Sequence, residues 1–260
     1  MSARHHPRKR FGQHFLTSRD TIDSILAAIA PRAVDTIVEI GPGRGAITAG
    51  LAASGASIHA VEFDRDLVPG LRENYAGVAN VVIHEADALS FDYAALGPSL
   101  RIVGNLPYNI STPLMFRLLA FESSIFDLHF MLQKEVVDRL TASPGTKAYG
   151  RLTIMLGCRM HAERLFDVPP SAFQPPPKVT SSVVRLRPRL EDRLQISDPE
   201  LMSRLVARAF SQRRKTLRNA LKGTADAEVL QRFGIQPASR AEEVAVADWV
   251  ALANHLADPT

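Results

Sequence analysis

TIVEIGPGRGAITAGLAASG, residues 36–55, is the stretch that decides the fold. Residues 36–40 are short, apolar and rich in β-branched side chains, as a buried strand is. Gly41, Gly43 and Gly45 alternate directly behind them. Residues 46–54 then read as a helix, closed by Gly55. A strand that runs straight into a glycine turn and a helix opens a βαβ unit. Glycines at that turn let the backbone approach a ligand and free the N–H groups at the helix start.

The same alternation continues outward. Residues 57–62 form the next strand and end on Glu62. Residues 66–75 read as a helix, and 81–84 as a third strand followed by Asp87. A fourth strand, about 100–104, runs into GNLPYNIS, residues 104–111. Helix 113–121, strand 126–132 and helix 134–140 follow. This alternation predicts an α/β fold with a parallel, doubly wound sheet. Before it, helix signals begin at Ser18 or Asp20 and stop at Pro31. After it, 151–159 cannot be assigned by pattern, 167–179 is proline-rich, and 181–186 reads as a late strand. The charged linker 188–197 is the best boundary. Ser197-Asp198-Pro199-Glu200 then starts a helix, with Ser197 as cap, and everything beyond looks helical. The expected division is 1–190 and 191–260.

Bulk properties exclude several classes. The chain has 260 residues, 46% hydrophobic and 22% charged, which suits a globular protein with a sizeable core. No apolar run approaches a membrane span, and the basic start has no apolar segment behind it, so the expectation is a cytoplasmic protein with no membrane partner. The single cysteine, Cys158, excludes an internal disulfide and a cysteine-based zinc cage; no metal is expected. The net charge is only +4, but its distribution is uneven. Arg4, Arg8, Lys9 and Arg10 crowd the start. Arg204, Arg208, Arg213, Arg214, Lys215, Arg218 and Lys222 lie in a stretch without an acid. Two such clusters point to a polyanionic partner.

The strand ends carry the chemistry, because open α/β sheets bind ligands at their carboxyl edge. Glu62 is placed to accept from ribose hydroxyls, and Asp87 to meet an adenine edge. Gly41, Gly43 and Ala46, with Glu62 behind them, also satisfy the relaxed dinucleotide fingerprint, so NAD and S-adenosylmethionine compete on these residues. At the fourth strand, Asn105 and the Leu106 carbonyl offer two acceptors, and Tyr108 a ring. That set suits a flat ligand with an exocyclic amino group. A nicotinamide enzyme needs a proton-transfer group, usually histidine, and His59, His84, His129 and His161 show no such constellation.

These motifs in this order resemble the class I S-adenosylmethionine-dependent methyltransferases, and more narrowly the ribosomal RNA adenine dimethylases of the small-subunit, kasugamycin-sensitivity type. The resemblance spans nearly the whole chain. It includes residues 11–16 (FGQHFL), 38–45, 104–111, 133–136, 173–179 (FQPPPKV) and 213–216. It implies a Rossmann-like sheet with a small, all-helical C-terminal domain. It also implies S-adenosylmethionine as cofactor, S-adenosylhomocysteine as product, small-subunit 16S RNA as partner, and a monomer. By the same resemblance His14 and Leu16 lie at the cofactor edge, and Gly41, with Gly43 beside it, at the methionine part. Glu62 takes the ribose and Asp87 the adenine amino group. Asn105 stands at the junction of cofactor and target base, between a Tyr108 stack and Phe173 on the other face. Many relatives have Asn at position 14, so a main-chain contact is expected there rather than a side-chain one. Arg208, Arg213, Arg214, Lys215, Arg218 and Lys222 are the expected RNA grip.

Rival readings share much of this pattern. Large-subunit adenine methylases of the macrolide-resistance type have most of the motifs. DNA adenine methylases usually carry two prolines where this chain has Leu106-Pro107. A ribosome-assembly checkpoint that binds and releases RNA is compatible with catalysis.

Overall fold

The computed structural model describes residues 14–107 and 109–258. These form two compact units: one runs to Val137 and resumes over Glu163–Pro188, and the other comprises Asp138–Ala162 and the chain from Arg189 onward.

The first unit is built on a seven-stranded sheet. After a two-residue strand β1 (Phe15–Leu16) come β2 (Thr36–Ile40), β3 (Ser57–Glu62), β4 (Val81–Glu85), β5 (Leu100–Asn105) and β6 (Ile125–Gln133). Strands β7 (Met160–Val168), β8 (Phe173–Gln174) and β9 (Ser181–Pro188) complete the set. The sheet order is β4-β3-β2-β5-β6-β9-β7. The first five strands in that order pair in parallel, whereas β9 runs antiparallel to β6. The chain therefore winds outward from β2 to β4, returns, and winds the other way from β5. The reversal lies between β2 and β5, where Ile40 pairs with Gly104. A crevice opens at such a switch point because the connections leave on opposite sides.

Helices α1 (Arg19–Ile29), α2 (Thr48–Ala53), α3 (Val68–Tyr75), α4 (Ser111–Leu118) and α5 (Lys134–Leu140) connect these strands. Ser18 caps α1 and accepts from the Thr21 N–H. Ile25 and Ile29 of α1 and Leu51 of α2 pack with Ile37, Ile58 and Val103 in one apolar cluster. At the opposite end of β5 the buried Arg101 fixes the same helix. Its guanidinium donates to Asp35 and Asp127 at 2.8 Å and to the α1-terminal carbonyls of Ile29 and Ala30 at 2.7 and 3.3 Å. A paired cation at a helix C-terminus satisfies both the buried carboxylates and the orphan carbonyls.

In the second unit α6 (Arg151–Gly157), α7 (Pro199–Ser211), α8 (Leu217–Ala220), α9 (Ala227–Arg232) and α10 (Val246–Ala257) enclose Trp249, Met202, Leu205 and Leu230. Tyr149, Ile154 and Cys158 belong to that core, and the Tyr149 hydroxyl donates to Val244 O at 2.8 Å. This differs from the expected division at 190, because Asp138–Ala162 groups with the helical unit and sends Tyr149, Ile154 and Cys158 into its core. The α7 cap also differs: Asp198, not Ser197, accepts from the N–H groups of Glu200 and Leu201, each at 2.9 Å. Among the described residues no helix is long and apolar enough to cross a membrane.

Candidate active site

A cavity of about 310 Å³ opens at the carboxyl edge of the first unit's sheet. His14, Leu16, Gly41, Gly43, Glu62, Asp87, Asn105, Leu106 and Phe173 all line it. The sequence analysis named every one of these for the cofactor or the target base. Tyr108 lies outside the described residues, as do Phe11, Gly12, Gln13 and the N-terminal basic cluster.

The glycine turn holds its shape through main-chain bonds. Gly41 and Gly43 have φ of 67° and 60°, the left-handed region that a side chain disfavours. The Gly43 N–H donates to Glu62 Oε2 at 3.1 Å, and the Asp64 N–H to Glu62 Oε1 at 2.8 Å. Glu62 is thereby aimed, with lone pairs left on both oxygens. Burial pushes its carboxyl upward, and these N–H bonds pull it back. Asp87 is oriented in the same manner, accepting from the Leu89 N–H at 2.9 Å through Oδ1.

Asn105 ends β5. Its Nδ2 donates to the main-chain carbonyl of His14 at 3.3 Å, which leaves Oδ1 as the acceptor of the pair. The Leu106 N–H bonds Met131 O at 3.2 Å, while its carbonyl takes no hydrogen bond from a described residue. The His14 ring is a tether, with Nδ1 2.8 Å from Pro175 O. So the main chain of His14 reaches Asn105, and its side chain holds the ribbon formed by β1 and β8. In that ribbon Leu16 pairs with Phe173 and Phe15 with Gln174. Phe173 is buried, so it forms a wall rather than a free ring.

Several lining residues escaped the sequence analysis. Phe63 is 60% exposed at the cavity; an aromatic directly behind the strand-ending Glu62 was the available signal. The Arg44 guanidinium lies 4.4 Å from the centroid of the Phe15 ring; nothing local predicts a contact of that range. Glu39 also lines the cavity, and its signal was an acid inside an otherwise apolar strand.

The donor set fits S-adenosylmethionine. Two oriented carboxylates stand at successive strand ends, a glycine turn lies beside them, and apolar side chains complete the lining. Among the described residues no group of three His, Cys, Asp or Glu side chains is arranged to hold a metal ion.

The six expected RNA-binding residues of the second unit do not behave alike. Arg208 donates to the carbonyls of Ala220 and Lys222 and to Thr224 Oγ1. Arg213 pairs with Glu242 and donates to the carbonyls of Lys147 and Tyr149. Both side chains are thus engaged inside the unit. Arg214, Lys215, Arg218 and Lys222 are exposed, and their side chains make no hydrogen bond or ion pair with a described residue.

Comparison with known proteins agrees with this geometry. The profile of a family described as ribosomal RNA adenine dimethylase matches residues 4–258. Ribosomal RNA small subunit methyltransferase A of Thiobacillus denitrificans is 53% identical, covering 97% of this chain and 99% of the relative. The protein of the same name from Aromatoleum aromaticum is 52% identical, covering 97% and 95%. Among solved structures, a dimethyladenosine transferase from Plasmodium falciparum superposes with a TM-score of 0.81 at 25% identity, covering 92% of this chain and 96% of that one. The 23S rRNA methyltransferase ErmE gives 0.75 at 27% identity, covering 94% and 100%. The chain belongs to the ribosomal RNA adenine dimethylase family.

Proposed function

We propose that this protein uses S-adenosylmethionine to dimethylate the N6 amino groups of adenosines in small-subunit ribosomal RNA. The observation that carries the reading is the convergence of nine sequence-designated residues on one cavity, with Asn105 Oδ1 left as an acceptor beside the Leu106 carbonyl.

The cofactor supplies a methyl group on a sulfonium, a good leaving group that needs no base to activate it. The protein's task is the amine. An adenine amino nitrogen is a poor nucleophile because its lone pair is delocalised into the ring. Accepting its N–H bonds at Asn105 Oδ1 and Leu106 O favours a tetrahedral nitrogen and localises that pair. Glu62 and Asp87 would hold the ribose and adenine of the cofactor, so that positioning would supply most of the rate. The proton leaves to water. The target base has to leave its stack, so an unpaired loop is the natural substrate, with Tyr108 and Phe173 as its aromatic neighbours. The exposed Arg214, Lys215, Arg218 and Lys222 grip the RNA backbone.

Small-subunit specificity is favoured over the large-subunit alternative by sequence. Identity is about half to the small-subunit enzymes and 27% to ErmE. Incubation with labelled S-adenosylmethionine and small subunits lacking the modification, followed by nucleoside analysis, tests the reading. Labelled dimethyladenosine is expected. Label confined to bare large-subunit RNA would overturn it. In the same assay Asn105→Ala should lower methyl transfer by about 10²–10³-fold while the cofactor Kd stays within a few-fold.

A further inference from the structure

The segment His14-Phe15-Leu16 touches both banks of the crevice between β2 and β5. On the β5 bank the His14 carbonyl accepts from Asn105 Nδ2 at 3.3 Å. On the β2 bank the Phe15 ring lies on the glycine turn. A Cβ added at Gly43 would stand 3.3 Å from Phe15 Cδ1, so the ring occupies the room that a side chain would need. The guanidinium of the next residue, Arg44, stacks on that ring, its carbon 4.4 Å from the centroid. Arg44 is exposed and Phe15 half-buried, and both line the cavity. The main chain holds the segment only lightly. β1 pairs with β8 over two residues, and the N–H groups of Thr17 and Ser18 share one acceptor, Ala172 O, at 2.9 and 3.2 Å. A two-stranded pair of that length is marginal in water, so side-chain contacts decide whether it stays in place.

We propose that Arg44 is a positioning residue for the cofactor site: stacked on Phe15, it latches β1 across the crevice, and the opening of this latch governs how fast cofactor enters and product leaves. The inference rests on the methyltransferase reading and adds a gate to it. Arginine suits the part, because a planar, weakly hydrated guanidinium stacks on a ring face better than an ammonium does. The latch is weak. A solvent-exposed cation–π contact shifts an opening equilibrium by about two- to fivefold. Weakness serves an enzyme that must exchange S-adenosylhomocysteine for fresh S-adenosylmethionine between the first and second methyl transfers to one amine.

A latch and a direct contact differ in their kinetics. If Arg44 bonded the cofactor itself, losing the side chain would speed dissociation and leave association almost unchanged. A latch slows traffic in both directions, because ligand passes only while the segment is open, so its loss speeds association as well.

Surface plasmon resonance on the full chain, with S-adenosylhomocysteine as the probe, reads both rates. Arg44→Ala is expected to raise association and dissociation alike by about two- to fivefold, and to move Kd by less than either. Arg44→Lys should fall between the two. Phe15→Leu, which keeps an apolar side chain on the turn but removes the ring face, should reproduce Arg44→Ala. In the double variant the effects should not add, because the same contact is lost only once. An unchanged association rate in Arg44→Ala would overturn the proposal and assign Arg44 to the ligand itself. Additive effects in the double variant would overturn it too. If S-adenosylhomocysteine does not bind the unaltered protein, the methyltransferase reading fails and the latch with it.

Discussion

The Glu39 carboxyl, buried inside β2, makes the stability of the protein depend on pH. Its folded carboxyl titrates at about 7 and its ordinary value is 4.5. Between those values the folded chain holds a proton that the unfolded chain has lost, so stability falls as pH rises through that window and stays low above it. The full effect is on the order of 3 kcal/mol. Glu39→Gln should therefore raise Tm of the empty protein by roughly 5 °C at about pH 8, a difference that disappears near pH 4.5. Thermal melts across pH check this; an unchanged Tm at pH 8 would mean the carboxyl is not destabilising. At this scale the strand-end residues were legible from the sequence, since Glu62, Asp87 and Asn105 each sit where an apolar run stops. Glu39 was not, because a single acid in a strand does not reveal which face it lies on or what stands beside it.

The β2–β5 pair is the element on which the site depends. A Cβ added at Gly104 would lie 2.6 Å from the Ile40 carbonyl oxygen, a backbone atom that cannot turn aside. Gly104→Ala should push the two strands apart where Gly41 and Asn105 emerge. The expected cost is about 1–3 kcal/mol of stability, together with weaker cofactor binding, readable by thermal melt and cofactor titration. The long parallel strands were predictable, because runs buried on both faces are continuously apolar. β7 was not anticipated: it alternates poorly, with exposed residues scattered along MHAERLFDV. β1 has only two residues and exists through its pairing with β8, so no local period could announce it.

For the whole molecule the charge map is narrower than its arginine count. Neutralising Arg214, Lys215, Arg218 and Lys222 together should weaken binding to small subunits and flatten its salt dependence. The slope should fall by roughly 0.7–0.9 for each phosphate contact removed. Arg208→Ala should instead lower Tm and leave the slope nearly unchanged, since its guanidinium ties α7 to the carbonyls of Ala220 and Lys222. Filter binding across a salt series separates the two effects. The sequence marked both residues as basic, but bonding between side chain and distant carbonyls is decided by tertiary packing. The division into units was half legible for a similar reason. The linker near 190 is marked by composition, whereas Asp138–Ala162 enters the helical core with no break in composition to mark it.

The β1–β8 ribbon bears on how the chain is made. His14 and Pro175, which it brings together, are 161 positions apart. During synthesis β2 to β5 can pair early, and Glu62, Asp87 and Asn105 can reach their strand ends. The wall at Phe173 and the tether on His14 come only after the chain has grown past Pro175. Until then β6 also lacks its partner β9, and its open edge is a place where a second nascent chain could add. A protein assigned to ribosome maturation thus becomes competent for its own cofactor only when translation of its sheet is nearly finished.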